Sequence, residues 1–159
     1  MNAIHQAFLQ ALRAALLGQQ AEPRLSPQQW QQFFHISQDH KVLPLVFEAV
    51  CACPTLQQTD PAFLQALRRQ TKQQVVLQTL RTEEFLELNR QLQEKGFRPV
   101  VVKGIICRRL YPHPDQRFST DEDIWVPEAQ FADCHRALES CGLATKDPES
   151  EEYELPYFS

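Results

Sequence analysis

The sequence predicts an α+β protein in which a helical N-terminal region packs on a small, incomplete mixed α/β sheet. Apolar residues recur at helical spacing through residues 1–95. The pattern then changes to a β-branched run at 97–102, and a second segment at 124–126 also has the character of a strand. We therefore expect a helical region at 1–95 and a second region at 96–159 that contains all of the strands.

Residues that start and stop helices divide the first region. Ser26 is a favourable N-cap, and Pro27 suits the first position of a helix. Gly18 and Gly96 follow periodic segments, where a left-handed C-cap is expected. The last segment has no Gly or Pro in its interior and is either one long helix or two helices joined near residues 71–74. The expected helices are at about 3–17, 27–38, 44–52 and 61–95.

The second region combines strands with short helices. The strand at 97–102 leads into a short basic helix at 105–110, where Arg108 and Arg109 are interpreted as surface charges. Residues 153–158 alternate enough to form a last strand, and the proline within them would place it at a sheet edge. A helix before that strand would bury Phe131, Cys134, Leu138 and Cys141.

Composition excludes several classes of protein. The formal charge of −4 argues against non-specific binding to nucleic acid, which needs a basic face. No stretch approaches the length of apolar sequence that spans a membrane, and the segment at 3–17 is amphipathic, unlike a signal peptide. The five cysteines are an odd number, which favours reduced thiols. We expect the protein to be cytoplasmic.

Two short motifs in the second region carry the chemistry. The apolar run at 100–102 is followed by Lys103 and Gly104, and a glycine turn that enters a helix presents backbone N–H groups to a phosphate. Asp121 and Asp123 are two residues apart, so on a strand both carboxylates leave the same face, roughly 7 Å from each other. Two such carboxylates can bind one divalent cation or a pair. Together these parts are typical of phosphoryl or nucleotidyl transfer.

The spacing between the two motifs resembles that of a known family. Lys103 precedes the glycine, Tyr111 and Pro112 follow it, and Arg117 stands four residues before Asp121. Residues 100–126 thereby resemble the uncharacterised nucleotidyltransferase branch of the DNA polymerase beta superfamily, whose members carry L-K-G, Y-P, R and D-I-D-L-L-V in this order. The resemblance implies that an NTP, such as ATP, donates a nucleoside monophosphate to a hydroxyl of an unknown small-molecule or protein acceptor.

Chemistry and the resemblance together suggest a role for each residue. Asp121 and Asp123 are the expected catalytic residues and ligands of Mg²⁺ or Mn²⁺. Arg117 is expected either to bind phosphate or to hold Asp121 through an ion pair, and the sequence does not separate these roles. The expected nucleotide- and phosphate-binding set is Lys103, Gly104, Ile105 and Arg117.

One part of the family pattern is missing from the chain. Active members use a third carboxylate, in a segment resembling D-L-H-W that follows a stretch like residues 153–157. We expect this segment to lie beyond Ser159, so that 96–159 is a nucleotidyltransferase-like core cut before its third acidic strand. Two functions therefore stay open: a metal-dependent nucleotidyltransferase, or a catalytically incomplete nucleotide-binding, regulatory or interaction module of the same fold. We expect the 159-residue chain to have little or no transferase activity.

Overall fold

A computed structural model describes residues 2–143 of the chain, and its helices and strands confirm the α+β class. The helices are α1 (Ala3–Leu16), α2 (Pro27–Asp39), α3 (Leu43–Val50), α4 (Pro54–Gln57), α5 (Pro61–Glu94), α6 (Ile105–Arg108) and α7 (Phe131–Ser140). The strands are β1 (Val100–Val101) and β2 (Ile124–Trp125), and short 3-10 turns occupy Pro114–Gln116 and Glu128–Gln130. The predicted strand at 153–158 lies outside the described residues.

The chain divides into two compact units. In the described part, the first unit contains residues 2–81 and 104–121, and the second contains 82–103 and 122–143. The division falls inside helix α5, which is continuous, so the alternative of two helices joined near residues 71–74 is wrong. The predicted domain boundary at residue 95 stays a prediction.

Capping residues place the helix ends close to the predicted positions. The Asn2 side chain accepts a hydrogen bond from the Ile4 N–H at 2.7 Å and starts α1. Ser26 and Gln29 form a reciprocal capping box at the start of α2, with bonds of 2.8 and 3.3 Å. Gly18 and Gly96 follow α1 and α5 with φ angles of 64° and 90°, which confirms the predicted left-handed C-caps.

Aromatic rings fill the core of the first unit, where α1 packs on α2 and α3. Trp30 is fully buried, and its ring centroid lies 5.0 Å from that of Phe33 and 5.7 Å from that of Phe34. The Trp30 Nε1 donates to the Thr55 hydroxyl at 3.3 Å, so the polar atom of the indole is satisfied. This core is the main hydrophobic stabilisation of the helical bundle.

A helical wheel drawn from the sequence of 61–95 predicts an inward-facing apolar stripe that includes Leu67, Leu80, Phe85 and Leu92. The structure shows this stripe only in part, because Leu67, Phe85 and Leu92 are buried whereas Leu80 is 48% exposed. Polar side chains lie on the inner side of this section of α5 instead, and Gln78 is only 1% exposed. A helical wheel shows spacing but not which neighbour covers a given turn, and this explains the difference.

The second unit has a small sheet and a core of its own. Strands β1 and β2 pair antiparallel, with Val100 opposite Trp125. Leu92 of α5 packs with Cys134 and Leu138 of α7 in one apolar cluster. The prediction that Phe131 is buried is wrong, because it is the first residue of α7 and is 40% exposed.

All five cysteines lie within the described part of the chain, and they are free thiols, as expected. Burial raises the pKa of the Cys134 thiol, and burial is also the main cause of the raised pKa of Cys51. Within residues 2–143, none of the helices combines the length and hydrophobicity that crossing a bilayer requires.

Candidate active site

Gly104 adopts a backbone conformation that other residues strongly avoid. It stands at the N-cap of α6 with φ 57° and ψ −111°, and it is buried. The carbonyl of Gly104 accepts the first helical hydrogen bond, from the Arg108 N–H at 3.0 Å. A side chain at this position would strain the turn, so the glycine is required by the backbone itself. Ile105 follows as the first residue of α6, as predicted.

Lys103 and Asp123 meet at the end of the two-stranded sheet. The Val102 N–H donates to the Asp123 carbonyl at 3.0 Å, which extends the pairing of β1 and β2 by one residue. The Lys103 Nζ lies 3.1 Å from the Asp123 Oδ2, and the two side chains are 70% and 38% exposed. The structure therefore brings together residues that are twenty positions apart in the sequence.

The Oδ2 atom of the Asp123 carboxylate can accept a further interaction from a ligand. Its Oδ2 atom is shielded from solvent and accepts no hydrogen bond from the described residues, although the Lys103 ammonium is close by. A shielded carboxylate oxygen with an ion pair but no aligned hydrogen bond can accept a cation or a donor from a ligand.

Asp121 lies before β2, so the prediction that one strand carries both carboxylates is wrong. The strand begins at Ile124, and residues 121–123 precede it. Extending the observed register would place Asp121 opposite Gly104, but the turn at Gly104 ends the ladder first. Asp121 is exposed, and its Oδ1 accepts a hydrogen bond from the Thr120 hydroxyl at 3.0 Å.

Arg117 packs on an aromatic ring. Its guanidinium lies 5.9 Å from the ring centroid of Tyr111, within the range of a cation–π interaction. Its Nη1 atom is shielded from solvent and forms no hydrogen bond to any residue in the described part. In that same part of the chain no ion pair joins Arg117 to Asp121. Holding Asp121 through an ion pair was one of the two roles that the sequence left open for Arg117.

Arg108 was misjudged from the sequence. It is 1% exposed instead of lying on the surface, and its guanidinium donates to the Ser119 hydroxyl. The Gln78 Oε1 accepts from the Ser119 backbone N–H at 2.9 Å. Helix α6 has a single turn, which is too short for a hydrophobic period to reveal its inner face. Nothing in the sequence pattern indicated that these three residues meet.

The acidic residues fit a hard divalent cation, but they do not form a complete protein cage. In the described residues no group of three or more His, Cys, Asp and Glu side chains is arranged to hold a metal. Asp121 and Asp123 would offer carboxylate oxygens, and the shielded Asp123 Oδ2 is ion-paired with Lys103 but accepts no aligned hydrogen bond from the described residues. Mg²⁺ is commonly bound by one or two carboxylates together with substrate phosphates. The donor set is therefore compatible with Mg²⁺ that arrives with a nucleotide.

An α+β fold with a glycine turn after one strand and two aspartates before the next is compatible with nucleotidyltransferase-like proteins. The family model described as "Uncharacterised nucleotidyltransferase" matches residues 26–159, and the chain belongs to this family. No curated protein and no solved structure matches the chain.

Proposed function

We propose that the protein takes part in the transfer of a nucleoside monophosphate from an NTP to a hydroxyl of a small-molecule or protein acceptor. The contact of 3.1 Å between the Lys103 Nζ and the Asp123 Oδ2 carries this proposal. It joins the residue that precedes the glycine turn to the acidic motif, which supports our assignment of phosphate binding and metal binding to neighbouring residues. Membership of the family supports the same class of reaction.

The metal-binding role belongs to Asp121 and Asp123. Their separation of two residues keeps the two Cα atoms within about 7 Å, whatever the backbone conformation. A bound Mg²⁺ or Mn²⁺ would neutralise negative charge on the triphosphate and on the pyrophosphate leaving group. The Thr120 hydroxyl donates to one carboxylate oxygen of Asp121, and the second oxygen would then be the one that binds the metal.

The phosphate-binding role belongs to the Gly104 turn and the cations near it. The backbone N–H groups of Gly104 and Ile105 lie at the start of α6 and would face phosphate oxygens. Lys103 would move from Asp123 to the triphosphate when a metal ion takes its place. Arg117, whose Nη1 has no hydrogen bond within the described part, would supply a second cation.

We further propose that the chain belongs to the DNA polymerase beta superfamily branch with the L-K-G and D-x-D pattern. The order of Lys103, Gly104, Arg117 and the two aspartates supports this assignment. The third carboxylate of that superfamily would then come from outside residues 2–143.

Replacing both aspartates tests the metal site. The double variant Asp121→Asn and Asp123→Asn should lose binding of Mg²⁺ with ATP, UTP, CTP or GTP. Changing a residue beside a metal ligand typically lowers the affinity for the metal roughly 10- to 100-fold. The double variant should lose more affinity than this, because the ligands themselves are removed. Isothermal titration calorimetry measures the affinity, and Asp133→Asn on α7 is the control for an exposed aspartate elsewhere. Equal binding by the wild type and the double variant, or no binding by either, would contradict the proposal.

Replacing Lys103 separates its two interactions. Lys103→Met removes a cation next to Asp123, so Mn²⁺ alone should bind up to about fivefold more tightly. This change in affinity corresponds to the interaction energy of an exposed ion pair. Mn²⁺ with ATP should bind more weakly, because a phosphate contact is lost. Titrations of the variant and of the charge-preserving Lys103→Arg measure both effects. If Lys103→Met changed the affinity for Mn²⁺ alone and the affinity for Mn²⁺ with ATP in the same direction, the proposed movement of Lys103 from Asp123 to the triphosphate would be contradicted.

Labelled nucleotides separate the enzyme from the binding module. The protein is incubated with Mg²⁺, cell extract and ATP, UTP, CTP or GTP that carries the label in the nucleoside monophosphate. Transfer of the label to an acceptor, lost in the double aspartate variant, supports the enzyme. Metal-dependent binding without transfer supports the catalytically incomplete module.

A further inference from the structure

Two fully buried polar side chains hold Ser119, which lies two residues before Asp121. The Gln78 Oε1 accepts from the Ser119 backbone N–H at 2.9 Å, and the Arg108 guanidinium donates to the Ser119 hydroxyl. Gln78 and Arg108 are each 1% exposed. The backbone and the side chain of one residue are therefore both bound by groups that are shielded from water.

The residues before Ser119 are fastened to the same helix. The Thr79 hydroxyl donates to the Asp115 Oδ2 at 3.0 Å. The ring centroid of Phe118 lies 5.3 Å from the Arg81 guanidinium. Residues 115–119 thus contact three neighbouring positions near the middle of α5. A segment bound at several points along one helix has less freedom to move than a segment bound at one point.

Arg108 links this segment to the glycine turn. It is the last residue of α6, and its own N–H is bonded to the Gly104 carbonyl at 3.0 Å. Arg108 is therefore bonded both to the turn at Gly104 and to Ser119, in the segment that precedes the acidic motif. A buried guanidinium is costly without well-placed partners, and the Ser119 hydroxyl is one such partner for Arg108.

We propose that Arg108 and Gln78 are positioning residues that hold Ser119 and, through it, the backbone that carries Asp121. Neither is proposed to touch the nucleotide or the metal, and their role in metal binding rests on the function proposed above. Misplacing a reacting group by about 1 Å can cost on the order of 100-fold in rate, so fixing this backbone matters for a metal ligand on an exposed segment.

Hydrogen exchange in the full chain tests the positioning without any ligand. Ser119→Ala removes the acceptor of the Arg108 bond, while Ser119→Thr keeps a hydroxyl. A hydrogen bond to a charged group is strong enough that its loss should speed exchange of the amides of residues 117–123 roughly tenfold or more. Ser119→Thr should exchange like the wild type. Gln78→Met is a second variant that removes the other bond to Ser119 and should give the same local increase.

The pattern of exchange decides between local and global effects. Faster exchange confined to residues 117–123 supports the positioning role. Unchanged exchange there in both Ser119→Ala and Gln78→Met would overturn it. Exchange that is equally faster in α1, α2 and α3 would also overturn it, because the bonds would then only stabilise the whole unit.

Binding of Mn²⁺ with ATP tests the link to Asp121. The affinity should fall about tenfold in Ser119→Ala and be restored to within about threefold in Ser119→Thr. Unchanged affinity in Ser119→Ala, despite faster exchange, would overturn the role in metal binding. If the wild type does not bind Mn²⁺ with ATP, the proposed function has failed, whereas the exchange result still decides whether Arg108 and Gln78 position the Asp121 backbone.

Discussion

Replacing Trp30 by Ala should lower the free energy of unfolding by roughly 3–5 kcal/mol. The indole is fully buried, packs on the rings of Phe33 and Phe34, and donates to Thr55. The small side chain would leave a cavity in the aromatic core, and the Thr55 hydroxyl would lose the hydrogen bond from the indole while it keeps its bond to the Pro23 carbonyl. Equilibrium unfolding in urea, followed by far-ultraviolet circular dichroism, measures the change.

The second tryptophan is a matched control. Trp125 is 58% exposed on β2, so Trp125→Ala should change the free energy of unfolding by about 1 kcal/mol or less. A similar loss in both variants would mean that the aromatic cluster does not dominate the stability of the helical unit.

Replacing Gly104 by Ala should destabilise the protein by roughly 1–3 kcal/mol and weaken nucleotide binding. With φ at 57° and ψ at −111°, the residue occupies a region that a Cβ atom makes unfavourable. The turn would have to change shape, and the N–H groups at the start of α6 would turn with it. Urea unfolding and titration with Mg²⁺ and ATP measure the two effects.

Gly18 provides the comparison for Gly104. It also has a positive φ angle, 64°, and an added Cβ would meet nothing within 4 Å. It lies at the C-cap of α1, where the Gln19 N–H bonds to the Ala14 carbonyl at 2.8 Å. Gly18→Ala should cost about 1 kcal/mol and leave nucleotide binding unchanged. If Gly18→Ala weakened nucleotide binding as much as Gly104→Ala, the specific role of the Gly104 turn would be contradicted.

The sequence predicted best what depends on neighbouring residues. Ser26 and Gly96 act within one turn of their own positions, so their caps appear where the pattern placed them. Gly104 was singled out because it follows a predicted strand and enters a helix, and its backbone conformation explains that position. Local chemistry was sufficient in these cases.

The sequence predicted less well what depends on distant contacts. The two carboxylates were placed on one strand, because the alternation of side chains does not show where a partner strand ends. The buried Arg108 binds Ser119 in another loop, and Ser119 in turn binds Gln78 of α5; no periodic pattern connects these residues. The proximity of Lys103 to Asp123 likewise depends on strand pairing, which places Asp123 beside Val102, the residue that precedes Lys103. Pairing and burial of this kind are tertiary properties.

The first unit is discontinuous in sequence, and this limits how the protein can be divided for experiments. Residues 104–121 return to the unit formed by residues 2–81 after the chain has built part of the second. A fragment ending near residue 95, at the domain boundary predicted from the sequence pattern, would lack Ser119 and Asp115. Gln78 and Thr79 would then lose these hydrogen-bond partners. Such a fragment would expose polar groups that the intact chain keeps covered. A circularly permuted or internally fused version would have to keep residues 104–121 together with the helical segment.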